Sequence, residues 1–421
     1  MKAKNLMMMS LFSLAMAACS SEDEFNKAID NGSDENKATV SLKINHAGIN
    51  SRAARSIAAV TGEKEITKLT IVAVQDNNVV NSFVTGTSLT SGANSTYSFT
   101  IDPGEYELYA FANCNNTFAN GAFANPIADG TYTDFYTAQN FLMSSAGGNS
   151  VAVKAIAGLT AETSIDVERA AVKVTAGFGE NFVLKDAKHN PDGDEAQNDA
   201  VGTLASSVLA LKQIAMSTYA MDKNNEIPAD VMYSNVAGGY VDIVEPTVEV
   251  KDRTGAYALE NHRTDYQNNP TKVTFAVYKI TFVPANTVQV VDETLADAPN
   301  TETEGKSFAV ISAAENKELI GCYILADDID AAKAVDSKLA VYQKTDGTGD
   351  DIYTDGICYL KSAITTDYNI DRNTWYNLAI NSFTLPGKSE EPDWEDDDAT
   401  VNVTVTPLEW VDGGNYDVDA K

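Results

Sequence analysis

Tyr97-Ser98-Phe99-Thr100-Ile101-Asp102-Pro103-Gly104-Glu105-Tyr106-Glu107-Leu108-Tyr109-Ala110-Phe111-Ala112 decides the fold class. Tyr97, Phe99 and Ile101 alternate with polar residues up to an Asp-Pro-Gly turn. Tyr106, Leu108 and Ala110 then line one face, with Tyr109 and Phe111 on the other. Period two bounded by turn residues marks half-buried strands. The same pattern extends outward in both directions. Val40, Leu42 and Ile44 alternate with Thr39, Ser41 and Lys43, and Leu69-Thr70-Ile71-Val72-Ala73-Val74 forms an almost unbroken apolar run. Further strands are expected over 171–176, 273–283, 308–311, 322–325, 339–342, 357–360, 375–383 and 401–405. Many short strands without alternating long helices give an all-β chain of β-sandwich type rather than a parallel α/β sheet. Residues 200–216 carry a helical reading, opposed by Gly202 and Ser206-Ser207.

At 421 residues the chain suggests two domains. Sixty acidic residues against thirty basic give a formal charge of −30, which favours solubility and repels nucleic acid and anionic surfaces. The start reads as a lipoprotein export signal. Lys2 and Lys4 precede an apolar run from Leu6, and Met16-Ala17-Ala18 places small residues before Cys19. Residues 1–18 are then removed, and the Cys19 sulfur carries a lipid such as palmitate. Residues 22–37 are polar and acidic, as expected of a tether. Residues 45–65, rich in Ala, Ser and Gly, read as an exposed connection, and 180–199 and 388–398 as acidic loops. A domain border is expected near 161–167. Cys19 apart, Cys114, Cys322 and Cys358 are too few and too widely spaced for a disulfide framework; buried thiols are expected, with one pair still able to close in an oxidising compartment.

The search for catalytic chemistry returns absences. Gly305-Lys306-Ser307 and Gly387-Lys388-Ser389 lack the leading glycine of a phosphate loop, since Asn300 and Ser382 stand there. His46, His189 and His262 include no close pair at zinc-ligand spacing, and no Gly-x-Ser-x-Gly elbow occurs. Asp346, Asp350, Asp351 and Asp355, or Asp327, Asp328 and Asp330, do not follow the twelve-residue calcium loop and read as solvated charge. The expectation is a protein that is not an enzyme and needs no cofactor or metal.

The C-terminal stretch Arg372-Asn373-Thr374-Trp375-Tyr376-Asn377-Leu378-Ala379-Ile380 leads to Phe383, an acidic loop, and Ala399-Thr400-Val401-Asn402-Val403-Thr404-Val405-Thr406-Pro407-Leu408-Glu409-Trp410. This resembles the ending of the fimbrillins, the type V pilus subunits of Bacteroidia, and in particular the minor-fimbrillin type. Val167-Glu168-Arg169-Ala170-Ala171-Val172-Lys173-Val174, the strand Ile66 to Val72 and the lipidated start extend the likeness. Ser20-Ser21-Glu22-Asp23-Glu24 likewise resembles the acidic tag of surface-exposed lipoproteins in that class.

The resemblance implies two transthyretin-like β-sandwich domains in tandem with few short helices. It also implies activation by an Arg-specific protease that removes the leader and the first strand. Arg52 and Arg55 are the cleavage candidates, and residues 19–55 become the lipidated tether and removable strand, 56–165 the N-terminal domain and 166–421 the C-terminal domain. Strand removal leaves a groove that a strand from another copy fills. Val40, Leu42 and Ile44 are the side chains that leave; Val401, Val403 and Val405 match them in spacing. Pro407 is expected to shift the phase, so that Leu408 and Trp410 become the apolar pair, with Asp412-Gly413-Gly414-Asn415 a flexible break before Tyr416 and Val418; either the C-terminal segment from Val401 is donated, or Val401 to Val405 stays as a strand of its own domain and only the tail beyond Pro407 moves. Implied partners are copies of the chain, accessory fimbrial subunits, the protease, and the outer membrane through the lipid before cleavage. The location implied is a cell-surface fimbria. The alternative readings are a non-polymerising surface lipoprotein that binds glycan or protein, and a tip or anchor accessory subunit. Trp375, Trp394 and Trp410 are too few and too strand-like to form binding platforms.

Overall fold

The computed structural model describes residues 36–46, 56–58, 63, 65–85, 95–128, 141–186, 201–224, 226–234, 239–262, 272–302, 304–393 and 401–411. Cys19, Arg52, Arg55, His189, Trp394, Tyr416 and Val418 lie outside these residues, as does nearly all of the expected tether.

The first part of the chain runs through β1 (Ala38–His46), β2 (Ser56–Ala58), β3 (Leu69–Gln75), β4 (Asn78–Val84), β5 (Ser95–Ile101), β6 (Gly104–Ala112), β7 (Gly121–Ala122), β8 (Met143–Ser145), β9 (Val151–Ala155) and β10 (Thr160–Arg169). All but β2 join one sheet of order β5-β1-β10-β8-β6-β3-β4-β7, with β9 also on β6. The two limbs of this sheet share one apolar core: Val40, Leu42, Ile44, Phe99 and Ile165 from one limb meet Leu69, Ile71, Tyr106, Leu108 and Val153 from the other. The alternation of the deciding stretch holds, with Tyr106, Leu108 and Ala110 facing this core and Phe111 facing a second cluster. β3 is apolar on both faces because both are covered. Leu69, Ile71 and Ala73 point into the first core, and Val72 and Val74 pack with Cys114, Leu142 and Met221 in the second.

The chain changes sheet at Ala170. It continues through β11 (Ala171–Asp186), β12 (Gly202–Lys212), β13 (Ile214–Ala215), β14 (Tyr233–Ser234), β15 (Val241–Asp242), β16 (Ala256–Leu259), β17 (Phe275–Pro284), β18 (Asn286–Val291), β19 (Thr294–Pro299), β20 (Phe308–Ala313), β21 (Tyr323–Leu325), the short helix α1 (Ile329–Val335), β22 (Ala340–Val341), β23 (Ile357–Ala363), β24 (Thr374–Leu385) and β25 (Val401–Val411). A sheet of order β16-β11-β24-β25-β2 packs on one of order β15-β12-β17-β23. Val172, Val174, Leu378 and Ile380 from the first meet Leu209, Leu211, Tyr278 and Leu360 from the second. A satellite core around Val288, Ile311, Ile324 and Ile329 lies under α1. The all-β expectation is met.

Four local expectations need correction. Residues 202–212 form strand β12, not a helix, bound to β17 from Gly202↔Pro284 to Lys212↔Phe275. Gly202, at φ 148°, lies so close to β17 that a Cβ there would sit 2.2 Å from the Val283 carbonyl oxygen. β11 runs on to Asp186, so residues 180–186 belong to a strand rather than a loop; a bulge between Phe178 and Val183 interrupts its pairing with β24. The 45–65 connection contains strand β2 and a buried Glu63. At Pro407 the apolar positions change to Leu408 and Trp410 as expected, yet the backbone shows no shift of phase there. β25 continues in step against β24 through Leu378↔Val405, Tyr376↔Pro407 and Trp375↔Leu408. β2 pairs only with Glu409–Val411, so beside Pro407 that flank carries no ladder among the described residues, and a proline turned toward it forfeits no bond. The change from odd to even apolar positions is therefore a change in which face is covered. Val401, Val403 and Val405 pack against the core between the two C-terminal sheets, whereas Leu408 and Trp410 on the opposite face enter the core of the N-terminal sheet.

Cys114, Cys322 and Cys358 are buried thiols. Burial raises all three thiols, that of Cys322 to about 12, which leaves them unreactive.

Candidate functional site

β1 occupies an interior lane of its sheet. It pairs in parallel with β10 from Thr39↔Thr160 to His46↔Val167, and antiparallel with β5 from Ala38↔Ile101 to Ile44↔Ser95. Its alternation turns Ala38, Val40, Leu42 and Ile44 inward, each 3% exposed or less. The sequence picked out three of these; Ala38 is the fourth, small enough to escape an apolar reading. After residues 47–55 the chain re-emerges as β2 on the other sandwich, beside β25.

The C-terminal strand is docked on its own chain. Half-buried Val401, Val403 and Val405 face inward, and Asn402, Thr404 and Thr406 face solvent. Where the N-terminal sheet covers its outer face, Leu408 and Trp410 are buried among Phe141, Trp375 and Tyr257. Trp410 stands edge-on to Phe141 at 5.3 Å between ring centres and lies nearly parallel to Tyr257 at 6.0 Å.

A buried polar cluster fastens that end of the strand. The Glu63 carboxylate accepts from Lys173 Nζ at 2.7 Å, the Tyr257 hydroxyl at 2.6 Å and Trp410 Nε1 at 2.9 Å. Burial pushes this carboxyl up, but the Lys173 charge and the three donors together outweigh it and hold the group below the usual carboxylate range. Burial pulls Lys173 downward despite Glu63, and its ammonium also sits 3.7 Å above the Trp375 ring centre. Arg169 donates through Nε to the Glu63 carbonyl at 2.7 Å, and through Nη1 to the Trp410 carbonyl at 3.0 Å and to Asn373 Oδ1 at 3.2 Å. Four stretches distant in sequence thus meet at Trp410: the segment after β2, the β10–β11 joint, β16, and the lead into β24. Arg169 and Lys173 stand in the fimbrillin-like 167–174 stretch, where nothing local in the sequence gives them a role. Their signal was the presence of two cations in an otherwise apolar run, which burial permits only when they are paired.

A second buried pair braces the same joint. Arg372 Nε donates to Glu260 Oε2 at 2.9 Å, and Nη2 donates to Glu260 Oε1 and to the Tyr219 carbonyl. Thr218 Oγ1 adds a bond to Glu260 Oε1 at 2.6 Å. Residues 388–393, the described part of the expected 388–398 acidic loop, are stapled to the facing sheet. Tyr359 and Lys388 exchange both backbone bonds at 2.8 Å, and Lys212 Nζ donates to the Pro392 carbonyl and to Asp393 Oδ1 at 3.0 Å each.

Three carboxylates of the 346–355 cluster have protein partners. Asp346 accepts from Thr348 N and Oγ1, Asp350 faces Gln343 and Lys333, and Asp351 takes the Ser389 hydroxyl. No group of three acidic, His or Cys side chains gathers for a metal among the described residues. Trp375 and Trp410, both fully buried, offer no binding platform.

Residues 351–415 match the family described as "Major fimbrial subunit protein type IV, Fimbrillin, C-terminal". The match spans the bulk of the β23–β24–β25 region described above, and the resemblance to fimbrillins read from the sequence is borne out. That family is one of structural subunits rather than enzymes. The fold is similar to a Porphyromonas gingivalis fimbrilin at 15% identity and a TM-score of 0.51, covering 90% of this chain and 99% of that one. It is also similar to a Parabacteroides distasonis protein assigned to cell adhesion, at 12% identity and a TM-score of 0.50, covering 90% and 99%. No curated protein matches the sequence.

Proposed function

We propose that the protein is a structural subunit of a cell-surface type V fimbria. It is exported as a lipoprotein through Cys19, activated by cleavage after Arg52 or Arg55, polymerised by strand exchange, and active in adhesion. The observation that carries this reading is the placement of β1. A strand that fills an interior lane and contributes four buried side chains is joined to the rest of the molecule only through residues 47–55. Its loss would uncover an apolar lane flanked by unpaired backbone, which a strand from another copy can repair. Each aliphatic side chain so reburied is worth about 1.5–3 kcal/mol. β25 supplies Val401, Val403 and Val405 at the spacing of Val40, Leu42 and Ile44, and its departure requires breaking the Glu63–Trp410 bond. With 388–393 stapled, the arm that moves begins after Asp393 and includes Tyr416 and Val418.

Replacing both arginines tests the trigger. In Arg52→Ala/Arg55→Ala, treatment with an Arg-specific protease is expected to leave β1 attached and the protein monomeric by gel filtration. The parent chain is expected to lose a fragment ending at residue 52 or 55. Assembly of the double variant at the parent rate would mean that cleavage there is not the trigger.

A further inference from the structure

β5 has one sheet partner among the described residues, and that partner is β1. The lane that β1 fills is therefore not a slot between two fixed walls. One wall, β10, remains tied to β8 and to the chain that continues into β11, while the other loses its whole ladder when β1 leaves. The loss strands backbone groups along eight positions of β10 and seven of β5 at once. Phe99 and Ile101 still pack into the core, and Phe99 stacks on Phe83 at 4.1 Å, so β5 stays beside the gap.

The registers across β1 make the two flanking strands compatible with each other. β1 is parallel to β10 and antiparallel to β5, so β5 is antiparallel to β10. Val40 stands opposite both Phe99 and Ala161, Leu42 opposite both Tyr97 and Thr163, and Lys43 opposite both Thr96 and Ser164. Phe99 and Tyr97 on β5, and Ala161, Thr163 and Ile165 on β10, turn to the core side; Thr96, Ser98, Glu162 and Ser164 turn to solvent. A sideways step of one strand spacing, about 4.8 Å, would pair β5 with β10 and keep every side chain on its present face. The Asp102-Pro103 corner before β6 is the pivot, so the Ser95 end swings furthest.

We infer that β5 closes the lane that β1 leaves, so that the cleaved subunit caps its own groove by a β5–β10 pairing which an incoming strand must displace. This rests on the removal of β1 proposed above. It gives the cleaved monomer a closed state that delays assembly until a neighbour's strand competes.

A disulfide between positions 96 and 164 reads the two states. In the precursor these residues flank Lys43, two strand spacings or roughly 9.6 Å apart, beyond the about 7 Å at which a disulfide can form. Side by side in an antiparallel pair they come to about 4.5–5.5 Å. Thr96→Cys/Ser164→Cys is treated with oxidised glutathione before and after cleavage, at a protein concentration low enough to hold monomers. The native Cys114, Cys322 and Cys358 are buried, and Cys19 is on the removed piece. The expected result is at least ten-fold faster cross-linking after cleavage, and cross-linked monomers that assemble only once reduced. Ser98→Cys/Glu162→Cys, flanking Ser41, repeats the measurement independently. Loss of the β1 fragment without cross-linking in either pair would overturn the closing of β5 and leave the removal of β1 standing. A fragment that stays bound after cleavage, seen by mass after gel filtration, would overturn both.

Discussion

Glu63→Gln is expected to cost about 3–5 kcal/mol of folding stability at neutral pH, the usual penalty for breaking a buried ion pair from one side. Glu63 is 2% exposed and Lys173 is 1% exposed, so water cannot take over for the lost charge. Glutamine keeps one acceptor oxygen, enough for Tyr257 or for Trp410 but not for both, and leaves the Lys173 ammonium without an anion. Urea unfolding measures the loss. Glu63→Gln/Lys173→Met should recover most of it, because the second change removes the stranded cation. The sign of the pH dependence follows from the lowered carboxyl. The folded value lies below the ordinary 4.5, so the contribution is complete above 4.5 and is lost as pH falls through the folded value. The gap between parent and Gln variant should therefore narrow on the acid side. A single variant within about 1 kcal/mol of the parent at pH 7 would contradict this account of the joint.

Trp410→Ala is expected to cost a similar about 3–5 kcal/mol, the range for removing a large buried aromatic. Its effect should also be local. Trp410 holds the end of β25 through the bond to Glu63, the rings of Phe141 and Tyr257, and the Arg169 guanidinium 4.8 Å from its ring centre. Without it, amides of 401–411 should exchange at least ten-fold faster, while those of β6 and β17 keep their protection. Equal loss of protection across the molecule would show that Trp410 stabilises the whole fold rather than fastening this strand.

The strands were legible where burial is one-sided or where both faces are apolar. Tyr97 to Ala112 and Leu69 to Val74 are such cases, since the period is local and tertiary packing only ratifies it. β12 was less legible because Val201, Leu204, Val208 and Leu211 also fall at helical spacing, and only the pairing with β17 decides between the two. The change of apolar phase at Pro407 was legible as a pattern, but its cause was not. The switch from Val405 to Leu408 records a second body covering the outer face of the sheet, and no local pattern contains that body. The same limit hid the polar joint. Arg169 and Lys173 were visible as charges in an apolar run, but Glu63 is more than a hundred residues away, in a stretch whose composition reads as an exposed connection. The β1 side chains were identifiable by alternation alone, whereas their interior lane depends on β5 and β10 closing from either side.

Electron microscopy of the purified precursor after treatment with an Arg-specific protease tests the proposal of a cleavage-activated, strand-exchanging pilin most directly. The account predicts filaments from the cleaved parent and monomers from the uncut precursor. Cleaved, folded parent protein that has shed β1 and remains monomeric at every concentration, or filaments from the uncut precursor, would contradict it.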